Sequence, residues 1–111
     1  MTELANQHIV IRPESDKPMQ PGEARQLLTH IGSEWTLIDG QQIHGKFAFP
    51  DFAQALVFVN QVGALAEDMG HHPDVLLGWG KVEITLWTHD VGGLHKADFI
   101  LAARIDCIQR D

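Results

Sequence analysis

Cysteine, basic residues and long apolar runs are scarce in this chain of 111 residues. The single cysteine, Cys107, permits no internal disulfide and no zinc site made of cysteines, and we expect it to be a small core residue. Lysine and arginine number 8 against 15 aspartates and glutamates, and the net charge of −7 argues against direct binding of nucleic acid. No apolar stretch approaches the ~20 residues that cross a bilayer, and residues 1–20 lack the basic-then-apolar order of a signal peptide. We therefore expect a soluble, cytoplasmic protein with no membrane partner.

The length of the chain fits one domain with one hydrophobic core. Residues 1–20 include Pro13 and Pro18 and show neither helical nor strand periodicity, which predicts an N-terminal arm or tail. Residues 21–111 are predicted to form the folded domain. A chain of this size buries about 60–65% of its unfolded surface. Its core has little room for polar side chains, so each one predicted to lie there needs an explanation.

The folded part is predicted to begin with a helix and a hairpin. Pro21 suits a first helical position, and apolar residues then recur with helical spacing at Ala24, Leu27, Leu28 and Ile31. Residues 35–38 and 42–49 are predicted strands. Asp39-Gly40 lies between them, and this dipeptide is the strongest short signal for a hairpin turn.

A long helix, two more strands and a final helix are predicted to follow. Asp51 and Gln54 have the spacing of a capping box, and Gly70 is placed to end the long helix. Its core stripe is predicted to be Phe52, Ala55, Leu56, Val59, Val62, Gly63 and Ala66. Strands over 75–79 and 81–88 precede a helix that contains Leu94 to Ile108. The order α-β-β-α-β-β-α predicts an α+β, two-layer domain: a four-stranded antiparallel sheet with three helices packed on one face.

Two carboxylates interrupt these apolar patterns. Asp98 falls in the middle of the apolar stripe of the last helix and is expected to point inward. It is either an acid that caps the helix start or a buried group paired with a histidine. Glu67 lies in the last turn of the long helix, where the helix dipole disfavours a negative charge, although a solvated helix acid is the ordinary explanation.

Three of the seven histidines occupy constrained positions. His71 and His72 lie between the helix end at Gly70 and Pro73, whose ring restrains His72 to an extended backbone. His89 ends a strand and points to the side opposite the apolar residues of that strand. Histidine titrates near neutrality, so such positions suit proton transfer, while structural roles remain the alternative. The remaining histidines are expected at the surface: His8, His30, His44 and His95. Trp79 and Trp87 are expected to pack in the fold, with stacking on a flat ligand as the alternative.

Several separated segments match one known family. They are Glu67-Asp68-Met69-Gly70-His71-His72-Pro73-Asp74, then Trp79, then Thr88-His89-Asp90 with Gly92-Gly93-Leu94, and finally Asp98. Together with Phe47-x-Phe49-x-Asp51-Phe52, they resemble the signature of the pterin-4a-carbinolamine dehydratases over about residues 21–110. The chain departs from the pattern at Phe99, where the family usually has tryptophan, and at Gly70, where a polar residue is often found.

The resemblance implies dehydration of 4a-hydroxytetrahydrobiopterin to quinonoid dihydrobiopterin, a step of tetrahydrobiopterin recycling, without a metal or cofactor. It implies proton transfer by His71 and His89, while His72 positions the pterin and assists as an acid. Substrate contacts are implied for Pro73, Thr88, Asp90 and Val91. Glu67 and Asp98 are implied to orient the imidazoles and to favour their protonated form.

The resemblance also implies a homodimer or homotetramer and a shared pathway with aromatic amino-acid hydroxylases. One alternative is a non-catalytic partner protein, because relatives serve as dimerisation cofactors of a homeodomain transcription factor or as assembly factors. A second alternative is a metal site built from His71, His72, His89 and Asp74. Adjacent histidines on an extended segment point apart, which disfavours the metal site.

Overall fold

The computed structural model describes residues 2–108. Its helices are α1 (Thr2–Ala5), α2 (Pro21–Leu28), α3 (Phe52–Met69) and α4 (Lys96–Asp106), and a single 3-10 turn covers His89–Val91. Its strands are β1 (Trp35–Ile38), β2 (Gln42–Ala48), β3 (Asp74–Gly78) and β4 (Lys81–Leu86). The predicted α+β order is confirmed, with the one-turn helix α1 added before it. None of the helices in this range is long and apolar enough to cross a membrane.

The four strands form one antiparallel sheet in the order β1-β2-β4-β3. Two hairpins therefore lie side by side, with the second strand of each in the centre. The β1-β2 hairpin turns at Asp39 and Gly40, which both have positive φ, 53° and 70°. Such a pair of left-handed residues matches the right-handed twist of the flanking strands, as the Asp-Gly dipeptide predicted.

One face of the sheet carries the core. Phe47 on β2 lies opposite Val82 on β4, and inward-facing residues alternate with outward-facing ones along both strands. Against this face lies α4, which is buried on almost every side and contributes Phe99, Ile100, Leu101, Ala102, Ala103 and Ile105. A helix that is buried on nearly every side belongs at the centre of a core. It is this central position that places the first turn of α4 inside the molecule.

The buried face of α3 differs from the predicted core stripe. Phe52 is 44% exposed and Leu56 is 40% exposed, although both were predicted to be buried. Phe58, which the prediction omitted, is buried and packs its ring 5.0 Å from that of Phe47 and 5.1 Å from that of Phe49. Apolar residues lie on more than one side of α3, so helical periodicity alone does not identify the face that meets the sheet.

Residues 2–20 are docked along the domain. Leu4 is buried, and the guanidinium of Arg104 donates hydrogen bonds to the carbonyls of Ala5 at 3.0 Å and Gln7 at 2.8 Å. The expectation for Cys107 was wrong, since it is exposed at the end of α4. The helical stripe of α4 has ended there, and its side chain no longer faces the sheet.

Candidate active site

Asp98 is fully buried at the third position of α4 and accepts three hydrogen bonds. Its Oδ2 accepts from the backbone N–H of His95 at 3.0 Å and from the hydroxyl of Thr88 at 2.9 Å. Its Oδ1 lies 2.5 Å from Nε2 of His71. Both readings of Asp98 from the sequence therefore apply, because the same carboxylate caps the helix and binds a histidine.

His71 follows directly from the end of α3. Gly70 ends the helix in the left-handed conformation, with φ of 65°, and the backbone N–H of His71 donates to the carbonyl of Ala66. The His71 side chain is thereby directed into the protein, where it is buried against Asp98. Because a carboxylate only accepts, Nε2 is the protonated nitrogen in this contact. In the neutral ring Nδ1 is then the nitrogen that can accept a proton.

His72 lies on the surface beside its neighbour. Its Nε2 is hydrogen-bonded to the carboxylate of Glu67, which lies five residues earlier in the last turn of α3. The side chains are 62% and 77% exposed. The imidazole that contacts Glu67 is therefore that of His72. An ion pair with this exposure adds little to stability, so its contribution would be to the direction in which His72 points.

His89 begins the 3-10 turn after β4 and is exposed. Its ring packs on that of Trp87, with centroids 3.7 Å apart and planes inclined by 43°. The residue between them, Thr88, is buried, and its hydroxyl reaches Asp98. The turn closes with hydrogen bonds between the backbones of Thr88 and Gly93, one of them 2.8 Å long. Trp87 therefore packs against a candidate catalytic residue. Trp79 is 71% exposed, so the expectation that it packs in the fold was wrong.

The structure joins part of the predicted site directly. His71 and Thr88 meet on Asp98, and His89 is attached to this cluster through its neighbour Thr88. His72, the residue next to His71, adds its hydrogen-bonded partner Glu67 to this region. The substrate contacts predicted for Pro73, Asp90 and Val91 remain predictions. Among residues 2–108, no group of three or more histidine, cysteine, aspartate or glutamate side chains is arranged to hold a metal ion.

Two histidines expected at the surface, His95 and His44, are buried or half-buried and have structural partners. His95 is only 7% exposed, and its Nδ1 accepts from the backbone N–H of Ala97 at 3.1 Å, which caps α4. One feature of the sequence could have indicated that His95 caps α4, because Asp98 lies three residues later, at the second position of a capping box. The first residue of a capping box is usually serine or threonine, so the histidine was not recognised as a cap. His44 is half-buried between Thr85 and Glu83 on the outer face of the sheet. Its hydrogen bond is the main cause that lowers the pKa of Glu83.

Comparison with known proteins identifies relatives along nearly the whole chain. The family profile described as Pterin 4 alpha carbinolamine dehydratase matches residues 17–108. A candidate pterin-4-alpha-carbinolamine dehydratase of Marinobacter nauticus is 48% identical over 95 residues, covering 83% of this chain and 86% of that protein. Another from Alkaliphilus metalliredigens is 39% identical over 106 residues, covering 96% of each chain.

Two solved structures share the fold. A structure described as a transcriptional coactivator/pterin dehydratase from Brucella melitensis has a TM-score of 0.74 and 29% identity, covering 80% of this chain and 95% of that one. A pterin dehydratase-like protein described as a RuBisCO assembly factor in the alpha-carboxysome has a TM-score of 0.51 and 33% identity. The match covers 59% of this chain and 75% of that one. From the profile match and these identities, we conclude that the chain belongs to the pterin-4a-carbinolamine dehydratase family.

Proposed function

We propose that the protein dehydrates 4a-hydroxytetrahydrobiopterin to quinonoid dihydropterin and water by histidine acid–base catalysis, as part of tetrahydrobiopterin recycling. The observation that carries the proposal is the buried carboxylate of Asp98, which holds His71 and, through Thr88, the segment that bears His89. A carboxylate in this buried position lowers the stability of the fold unless hydrogen-bond donors are paired with it. Family membership supports the same reaction.

The reaction removes a hydroxyl from C4a and a proton from the neighbouring ring nitrogen. The hydroxyl leaves as water once it receives a proton, and the ring nitrogen forms the double bond as its proton departs. In the proposed scheme, His71 accepts the nitrogen proton at Nδ1, because Asp98 holds the proton on Nε2. Protonated His89 donates to the hydroxyl, and the face of Trp87 stabilises its positive charge. His72 positions the pterin, held in direction by Glu67. Pro73, Thr88, Asp90 and Val91 supply the remaining substrate contacts.

The direct test adds purified protein to freshly generated 4a-hydroxytetrahydropterin and follows the absorbance of quinonoid dihydropterin. The parent protein should accelerate the reaction well above its spontaneous rate. His30→Ala is the matched control, since His30 is exposed in the connection between α2 and β1, away from the cluster. A parent protein that leaves the spontaneous rate unchanged would rule out the dehydratase proposal.

The proposed assembly is a homodimer or homotetramer in the cytoplasm. Its support is apolar surface on two elements: Phe52, Leu56 and Val57 are exposed on α3, and Val75 and Leu76 are exposed on the edge strand β3. Unpaired strand edges and contiguous apolar surfaces are commonly covered by self-association. An aromatic amino-acid hydroxylase is the proposed pathway partner, because its oxidised pterin product would be the substrate here.

A second candidate function is that of a non-catalytic partner protein, either a transcriptional dimerisation cofactor or an assembly factor. The descriptions of the two similar structures, one a coactivator and one an assembly factor, favour it. The two functions separate experimentally. If the protein is a dehydratase, His71→Ala should abolish its function. If it is a partner protein that works through the apolar surface of α3, His71→Ala should leave the function intact and Leu56→Glu should abolish it.

A further inference from the structure

The N-terminal segment contacts the loop that leads from the 3-10 turn into α4. The backbone N–H of Met19 donates to the carbonyl of Leu94 at 2.8 Å. A Cβ added to Gly93 would lie only 3.0 Å from Cβ of Pro18, so the two segments are in tight contact there. Residues 18–19 thus hold residues 93–94, whose backbone in turn closes the turn that begins at His89.

The next residue of the loop, His95, is bonded at both ring nitrogens. Nδ1 accepts from the backbone of Ala97, and Nε2 lies 2.9 Å from Oδ2 of Asp16. With Nδ1 as an acceptor, the neutral ring carries its proton on Nε2 and donates it to the carboxylate. The opposite tautomer would direct an N–H at the N–H of Ala97 and a lone pair at Asp16. Asp16 therefore selects the tautomer of His95 that caps α4.

Asp16 is itself held in place by its own segment. Its Oδ2 also accepts from the backbone N–H of Arg12 at 2.8 Å. This hydrogen bond and the one from His95 hold the pKa of Asp16 below its ordinary value. The carboxylate is ionised at neutral pH, as an ordinary aspartate is, and can accept from both donors.

The contacts continue from His95 to the candidate active site. The backbone N–H of His95 donates to Oδ2 of Asp98, and Oδ1 of the same carboxylate receives His71. Because both oxygens belong to one rigid group, a displacement of the backbone at residue 95 turns the acceptor that orients His71. Asp16 is therefore linked to His71 through two side chains and one backbone group.

We propose that Asp16 and His95 are positioning residues of the active site, which act through Asp98 to orient His71. The proposal rests on the dehydratase function proposed above. The segment that carries Asp16 then forms part of the catalytic scaffold, although it supplies no group that contacts the substrate. A misplaced catalytic group commonly costs up to ~10²-fold in rate, and loss of one outer link should cost about tenfold.

The experiment uses matched variants of the full chain. Asp16→Ala removes the acceptor of His95, and Asp16→Asn keeps an oxygen that accepts from the same donors. His95→Ser keeps a side-chain oxygen that caps α4 but cannot reach Asp16. Arg104→Ala is the control, because it loosens the same segment at Ala5 and Gln7 without touching Asp98.

The expected results separate positioning from simple docking. Asp16→Ala and His95→Ser should each lower kcat about tenfold, with KM within about twofold of the parent. Asp16→Asn should keep at least about half of the parent kcat. The double variant of Asp16→Ala and His95→Ser should have a kcat no lower than that of either single variant. Arg104→Ala should keep the parent kcat. An unchanged kcat in Asp16→Ala, or an equal loss in Arg104→Ala, would overturn the proposal.

A measurement that needs no activity keeps the two proposals distinguishable. The ¹⁵N signals of the His71 ring should shift in Asp16→Ala, because its acceptor turns, and should stay in place in Arg104→Ala. If the parent protein has no dehydratase activity, the proposed function fails and these signals alone decide. Unchanged His71 signals in Asp16→Ala would then refute the link between the two residues.

Discussion

Replacement of Asp98 by asparagine keeps the shape of the side chain and removes its charge. The amide oxygen can still accept from Thr88 and from the backbone of His95, which occupy the same carboxylate oxygen. The amide NH₂ then faces Nε2 of His71, where Oδ1 accepted before. Two of the three hydrogen bonds survive, and the third returns as a neutral bond if the His71 ring changes tautomer. A charged hydrogen bond contributes roughly 1.5–3 kcal/mol and a neutral one roughly 0.5–1.5 kcal/mol, so the loss of stability should be about 1–2 kcal/mol.

The same change of tautomer has a larger effect on catalysis. With a proton on Nδ1, neutral His71 has no lone pair there for the proton of the pterin, and turnover should fall roughly 10²–10⁴-fold.

Thermal unfolding and a turnover assay on Asp98→Asn measure both effects, and a loss of about 1–2 kcal/mol should lower Tm by roughly 5–15 °C. Asp51→Asn is the matched control, since Asp51 caps α3 by accepting from the backbone of Gln54 at 2.8 Å. It should leave turnover unchanged. If Asp98→Asn loses stability but keeps its turnover, Asp98 only caps the helix, and its proposed catalytic role is refuted.

Three further predictions concern the catalytic histidines, acid stability and assembly. His71→Ala and His89→Ala should each lower turnover by roughly 10²-fold or more with little change in the circular dichroism spectrum, and full activity in either variant would remove that residue from proton transfer. Because the folded protein lowers the pKa of Asp16 from 3.8, its contacts stabilise the fold above that pH and lose this effect as the pH falls through the lowered value. The Tm difference between parent and Asp16→Ala should therefore be constant near neutrality and shrink below about pH 4, and a difference that grows in acid would contradict the sign. Light scattering should show at least a dimer at micromolar concentration, and Phe52→Glu or Leu56→Glu should give smaller species if α3 is an interface.

The elements that the sequence predicted well are those with local chemical signals. The Asp39-Gly40 turn, the cap at Asp51 and the left-handed end at Gly70 each depend on one or two residues and their own backbone. The antiparallel order followed from two hairpins that are short enough to close on themselves. Such features need no knowledge of distant contacts, because they form within a few residues.

The features that the sequence did not reveal depend on distant partners. The arm is docked by the guanidinium of Arg104 on backbone carbonyls, which leave no mark in the residue types. His95 became buried because Asp16, far away in the chain, provides its second partner. The inward direction of Asp98 could be predicted from helical spacing, whereas the family resemblance implied only that it orients an imidazole and did not identify that imidazole as His71. No rule of spacing relates a helix end to the start of another helix 27 residues later.

Asp51 and Asp98 each accept a hydrogen bond from a backbone N–H at the start of a helix, and the difference in their burial argues for a further function of Asp98. Asp51 caps α3 from a partly exposed position, which shows that this fold can satisfy a helix start without burying a charge. Asp98 serves α4 from a fully buried position, where desolvation of a carboxylate is costly and leucine or isoleucine would pack well. Capping alone requires only the contact with the backbone of His95. The additional bonds to Thr88 and His71 join Asp98 to two side chains that are themselves buried, and they lead to the two segments that carry the candidate catalytic histidines. The central position of α4 buries Asp98, and the three donors that meet on its carboxylate offset the cost of that burial, while two of them belong to the segments that carry the candidate catalytic histidines.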